Sequence, residues 1–156
     1  MKKIIVLFVM VAVTINLFGQ CKSVEKFRKK FPESSNLFFY SSTLSMLNNQ
    51  DNPELNNLLK GIEKIVVLNY EKEKEQFTPA DLTELKENLK KEGYVDLMTI
   101  KNDKNDIRLT GRQKKGKTVG YVAFASTDQG TVIIDIKGSF DISKFMDLKD
   151  KLDIKM

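Results

Sequence analysis

Val119-Gly120-Tyr121-Val122-Ala123-Phe124-Ala125-Ser126-Thr127-Asp128-Gln129-Gly130-Thr131-Val132-Ile133-Ile134-Asp135-Ile136 is the stretch that decides the fold. Val122 and Phe124, then Val132, Ile134 and Ile136, fall at every second position, the period of a strand whose successive side chains leave opposite faces. Between the two runs, Thr127 to Gly130 is polar and ends in glycine, which suits a turn. Working outward toward the N-terminus, the same period returns in Ile107/Leu109 and Val95/Leu97. The separators are Arg112 to Lys117 and Asn102-Asp103-Lys104-Asn105-Asp106, both polar and turn-prone. Four strands joined by such short turns form an antiparallel meander.

The period changes on either side of this block. Val24, Phe27 and Phe31 stand at i, i+3 and i+7, so the segment before Pro32 predicts a helix with one apolar face. Leu37-Phe38-Phe39-Tyr40 predicts a strand buried on both faces. Ser41 to Gln50 carries Leu44, Met46 and Leu47 at loosely helical spacing. Asn52-Pro53 opens a further helix, since Asn caps free N–H groups and Pro tolerates the first helical position. Leu55, Leu58, Leu59 and Ile62 mark its face, Gly61 loosens its end, and Ile65-Val66-Val67-Leu68 predicts a central strand. Thr78-Pro79-Ala80-Asp81 repeats the capping pattern before Leu82, Leu85 and Leu89, and Gly93 stops that helix. After the meander, a last helix is expected from Asp141, with Ile142, Phe145, Met146 and Leu152 inward. The fold class is α+β, a mainly antiparallel sheet with helices packed on one face.

The N-terminus gives an address. Met1-Lys2-Lys3 is followed by an apolar run from Ile4 to Val13, then Thr14-Ile15-Asn16-Leu17-Phe18 and Gly19-Gln20-Cys21. A positive end, an apolar middle and a small residue before the cut make a secretory signal. A membrane anchor needs about 17–25 apolar residues, and this run is broken by Thr14 and Asn16. Residues 1–19 are therefore expected to be a cleaved signal peptide and residues 20–156 a single α+β domain, periplasmic or secreted, without a transmembrane span. The alternative is a membrane-anchored lipoprotein cut before Cys21, although Gln20 is larger and more polar than the residue such a site prefers.

Cys21 is the only cysteine, so no internal disulfide forms and stability rests on packing. The formal charge of +5 falls to +3 once Lys2 and Lys3 leave with the signal. So small an excess does not announce a nucleic-acid partner.

Gly111-Arg112-Gln113-Lys114-Lys115-Gly116-Lys117-Thr118 matches the phosphate-loop pattern letter for letter. That motif works because a helix N-terminus follows it and aims N–H groups at phosphate. Here a strand-like run follows Thr118, so the segment predicts a lysine-rich hairpin instead. Arg112, Lys114, Lys115 and Lys117 remain a candidate anion-binding hairpin, against the plainer role of a charged, solubilising turn. Histidine is absent, which removes Ser-His-Asp and Cys-His catalysis. Asp96, Asp135 and Asp141 are the carboxylates one would examine for acid-base work, but a strand's polar face or a helix cap accounts for each. Asp103, Asn105 and Asp106 lack the Gly and terminal Glu of a calcium loop. Phe38, Phe39, Tyr40, Met46 and Met98 could line an apolar pocket, or simply pack.

Gly130-Thr131-Val132-Ile133-Ile134-Asp135-Ile136-Lys137-Gly138-Ser139-Phe140-Asp141-Ile142, the Leu55 to Leu68 passage and Tyr94-Val95-Asp96-Leu97-Met98 together resemble the exported bacterial domain-of-unknown-function family 4252, of Bacteroidetes type, over roughly residues 24 to 153. That resemblance implies a signal or lipoprotein leader, and no assigned activity or catalytic residues. The combined expectation is a non-catalytic, cofactor-free binding module of the cell envelope. Its partner would be an envelope protein or an anionic surface rather than nucleic acid. The rival expectation is a small apolar-ligand carrier with a pocket between sheet and helices.

Overall fold

The computed structural model describes residues 20–46, 53–74, 76–102 and 105–140. The expected signal peptide, 1–19, and the expected last helix from Asp141 lie outside the described residues. The elements are α1 (Lys22–Lys30), β1 (Ser35–Tyr40), α2 (Ser41–Ser45), α3 (Pro53–Lys60) and β2 (Ile62–Glu71). A short 3-10 turn, Lys72–Lys74, leads to α4 (Pro79–Lys91), then β3 (Tyr94–Lys101), β4 (Asp106–Lys114), β5 (Lys117–Thr127) and β6 (Gly130–Gly138).

The strands form one sheet in the order β1-β2-β6-β5-β4-β3. Each neighbouring pair is antiparallel. β2 lies beside β6, Ile65 opposite Ile136 and Glu71 opposite Gly130, which places this early strand inside the sheet, between β1 and β6. The fold is α+β, with helices on one face of this antiparallel sheet.

Register assigns every side chain to a face. Val66, Asp135 and Val122 form one row across three strands, and Leu68, Ile133 and Phe124 form the next. These rows meet Val24, Phe27 and Phe31 of α1 and its exit, Phe77, and Leu85 and Leu89 of α4 in one buried cluster. Phe27, Phe31, Tyr70 and Phe77 pack edge-on or tilted, with ring centroids 4.8 to 5.9 Å apart. Full burial of each such side chain is worth about 1.5–3 kcal/mol, so this inner face carries most of the stability.

The helices are set by their ends. Thr78 Oγ1 accepts the Asp81 N–H at 3.3 Å while Asp81 Oδ2 accepts the Thr78 N–H at 2.8 Å, the reciprocal box that its sequence predicts. Lys30 reaches Asp81 at 2.7 Å and ties α1 to α4. That ammonium, with the Thr78 donors, holds the Asp81 carboxyl below the usual carboxylate range. No helix among the described residues is long and apolar enough to cross a membrane.

The outer face is apolar too. Leu37, Val67, Ile134 and Ala123 share one row, and Ile65, Ile136 and Tyr121 share another. One expectation is corrected here. Leu37 to Tyr40 is not a doubly buried strand: β1 pairs with β2 alone, and Leu37 and Tyr40 are 52% and 53% exposed. The alternation Val95/Leu97, Ile107/Leu109 and Val132/Ile134/Ile136 marks the outer face, whereas Val122/Phe124 marks the helix side. A run apolar in both phases, such as Val132 to Ile136, offers no polar phase to tell the faces apart.

Candidate functional site

The segment Gly111 to Thr118 is the β4–β5 hairpin. Lys115 and Gly116 hold φ of 51° and 75°, the two positive values that a two-residue turn of this hand requires. Because β5 rather than a helix follows, the loop has no ring of N–H donors to offer phosphate. Lys114 stands directly opposite Lys117 across the turn. Lys114, Lys115 and Lys117 are all exposed, and Arg112 is half-buried.

Arg112 and Lys114 line a recess of about 170 Å³ at this end of the sheet, whereas Lys115 and Lys117 stand outside it. Glu63 and Lys137 form another part of its wall and pair at 2.6 Å. The recess thus joins two of the four hairpin cations to a third, Lys137, that sequence reasoning did not single out. Its floor is made by Cys21, Tyr94 and Asp135, exposed by 2%, 5% and 1%.

That floor is a buried polar cluster built around the start of α1. The Cys21 N–H donates to Asp135 Oδ2 at 3.2 Å. Glu92, the residue that ends α4, accepts from the Ser23 N–H at 2.8 Å and the Lys22 N–H at 3.3 Å, and also from the Ser23 hydroxyl. Two carboxylates from distant parts of the chain therefore satisfy the free donors of one helix N-terminus, where its dipole favours negative charge. Burial pushes the Asp135 carboxyl up to about 6, with the Cys21 N–H offsetting part of that cost. Burial likewise pushes the Cys21 thiol up to about 12 and the Tyr94 phenol well above its ordinary value. A thiol so placed is protonated and shielded, the opposite of a reactive cysteine.

Asp135 is not on a solvated strand face, as its sequence neighbours suggested; its side chain points inward and caps α1. The sequence did hold a signal, since one acid inside an otherwise β-branched apolar run needs a partner. Glu92 carried none, because Lys91-Glu92-Gly93 looks like any exposed helix end. Asp96 pairs with Arg108 at 3.4 Å, and Asp141 lies outside the described residues. The supposed pocket aromatics do not converge. Phe38 and Tyr40 lie at the β1 edge beneath the cations of Arg28 and Lys64, whereas Met98 lies on the outer face of β3 at the opposite edge. Among the described residues, no group of three Cys, Asp or Glu side chains is placed to hold a metal ion.

The fold and this site define a small α+β domain with a cationic hairpin over a sealed polar cluster. The chain belongs to the family described as Domain of unknown function (DUF4252), whose model matches residues 33–148. No curated protein and no solved structure matches it.

Proposed function

We propose that this is an exported, non-catalytic binding module of the cell envelope that engages an anionic surface through the β4–β5 hairpin. The observation that carries this reading is the register of the hairpin, which sets Lys114 opposite Lys117 around the Lys115-Gly116 turn. Like charges held directly across a strand pair cost stability, and an anion laid over them relieves that cost. Arg112 extends the positive rim toward the recess, where Lys137 is paired with Glu63. The signal-like N-terminus supports a periplasmic or secreted location, and the buried Cys21 thiol favours the untethered form over the lipoprotein. An apolar-ligand carrier is less favoured, because Phe27, Phe31, Tyr70 and Phe77 fill the sheet–helix space themselves.

The test is sedimentation of the mature chain with phosphatidylglycerol vesicles in low salt. The triple variant K114Q/K115Q/K117Q is expected to lose at least tenfold in partitioning, since each basic residue near an anionic surface contributes about 1 kcal/mol. Wild-type binding should also fall as salt is raised. Equal partitioning of wild type and variant, or equal binding to phosphatidylcholine, would remove the hypothesis; binding only to an acidic protein would replace the surface with that partner.

A further inference from the structure

We propose that the recess beside the β4–β5 hairpin is a binding site for a small organic carboxylate, held by the Arg112 guanidinium over Gly120. The inference does not rest on the hairpin meeting a surface. It starts from one row of the sheet's inner face, where Lys64, Lys137, Gly120, Arg112 and Tyr94 stand in register across β2, β6, β5, β4 and β3. The middle of that row has no side chain. A Cβ on Gly120 would stand 3.2 Å from the Ile136 carbonyl oxygen and 3.5 Å from the Tyr94 hydroxyl, so the glycine keeps room between Arg112 and Lys137.

The cations around that gap are not equivalent. Lys137 is paired with Glu63 at 2.6 Å, and Lys64 lies over the Phe38 and Tyr40 rings. The Arg112 guanidinium is half-buried on the recess wall and, among the described residues, has no ion pair and no hydrogen bond. Gln20 lines the same recess, and its amide nitrogen is buried near the Asp135 carboxyl without making a hydrogen bond. A cation and a polar donor withdrawn from water without partners cost stability, and an anion seated against them restores both contacts.

The class of anion follows from shape and charge. A guanidinium offers two parallel N–H donors, matched to the two oxygens of a carboxylate. Phosphate shares that match, but Glu63 and Asp135 also line the recess, so a second negative charge on the ligand would face two acids. Arg112, Lys114 and Lys137 against Glu63 and Asp135 leave one positive charge when both acids are ionised, which one negative charge balances. The volume of about 170 Å³ is small beside the about 300–1,000 Å³ of sites that hold drug-sized ligands, and Val119 gives the wall an apolar part. A carboxylate on a short aliphatic chain fits these limits.

The test is an NMR titration of the mature chain with sodium propionate, sodium chloride holding the ionic strength constant. Saturable shifts are expected at the Gly120 amide and the Arg112 side-chain N–H. Arg112→Gln should weaken binding about tenfold, since it removes a charge-assisted, two-point contact. Arg112→Lys keeps the charge without the fork and should recover only part of that loss. Gly120→Ala should weaken binding with every charge in place, whereas Lys101→Gln, which removes a charge at the opposite end of β3, should not. Unchanged affinity in Arg112→Gln or in Gly120→Ala would overturn the inference, as would shifts that chloride alone reproduces. Tighter binding of dimethyl phosphate than of propionate would also overturn it, reassigning the recess to a phosphodiester.

Discussion

Val66 and Val67 are chain neighbours of the same type, as are Ile133 and Ile134, yet each pair straddles the sheet and meets two different environments. Val66 and Ile133 are 4% and 0% exposed beneath α1 and α4, whereas Val67 and Ile134 remain half-buried on the outer side. Composition does not separate the faces, since both are built from β-branched and aromatic residues. What separates them is the anchoring of the helices: α4 by the Thr78–Asp81 box, α1 by Asp135 and Glu92 at its start, and each to the other by Lys30 and Asp81. Burial here is a property of the helix ends as much as of the strands they cover.

The contrast can be broken most forcefully by removing matched leucines. Leu68→Ala deletes a side chain with no exposure and should cost about 2–5 kcal/mol through lost transfer energy and the cavity left behind. Leu37→Ala, on the outer side of the β1 edge and 52% exposed, should cost under about 1 kcal/mol. Urea midpoints compare the two directly; equal losses would mean that the faces are not energetically distinct.

Asp135 sharpens the comparison, because among the described residues it is the one buried carboxylate, and it lies on the covered side. Its carboxyl rises from an ordinary 3.8 to about 6 in the folded chain, so the folded state holds the proton more tightly than the unfolded state does. The ionised form is therefore a burden fully present above pH 6, relieved as pH falls from 6 toward 3.8. Asp135→Asn keeps an acceptor for the Cys21 N–H without the charge. It should raise stability at pH 8 by on the order of 2–3 kcal/mol and flatten the stability profile between those two values. A variant that is weaker at pH 8, with an unchanged profile, would mean that the carboxylate is a net stabiliser of α1.

Much of this architecture is legible in the sequence, and the illegible parts have a common cause. The capping box at Thr78, the α1 stripe Val24, Phe27 and Phe31, the Gly93 stop and the hairpin around Lys115-Gly116 depend on contacts a few residues apart, so local pattern reports them faithfully. The position of β1 at an edge and the pairing of β2 with β6 depend on partners far along the chain. No local pattern of Leu37 to Tyr40 says that only one neighbour will arrive. The site shows the same division. The hairpin cations are visible as a run, but the gathering of Arg112 and Lys114 with Lys137 over Asp135 comes from register, and Glu92 acquires its role only because α4 ends where α1 begins.

The smallest expected effect probes whether the covered face opens as a unit. Thr78→Ala removes one half of the capping box and should cost about 1 kcal/mol, while Thr78→Ser, which keeps the hydroxyl, should cost little. If α4 and the cluster beneath it open separately from the outer strands, the amides of Leu85 and Leu89 should exchange about fivefold faster in Thr78→Ala, with the β3–β4 amides unchanged. A cap lost at the first turn destabilises only states in which that turn is formed, and the β3–β4 ladder contains no residue of that turn. Equal acceleration across the sheet would mean instead that α4 and the strands unfold together, so that the helix ends govern both faces and not the covered one alone.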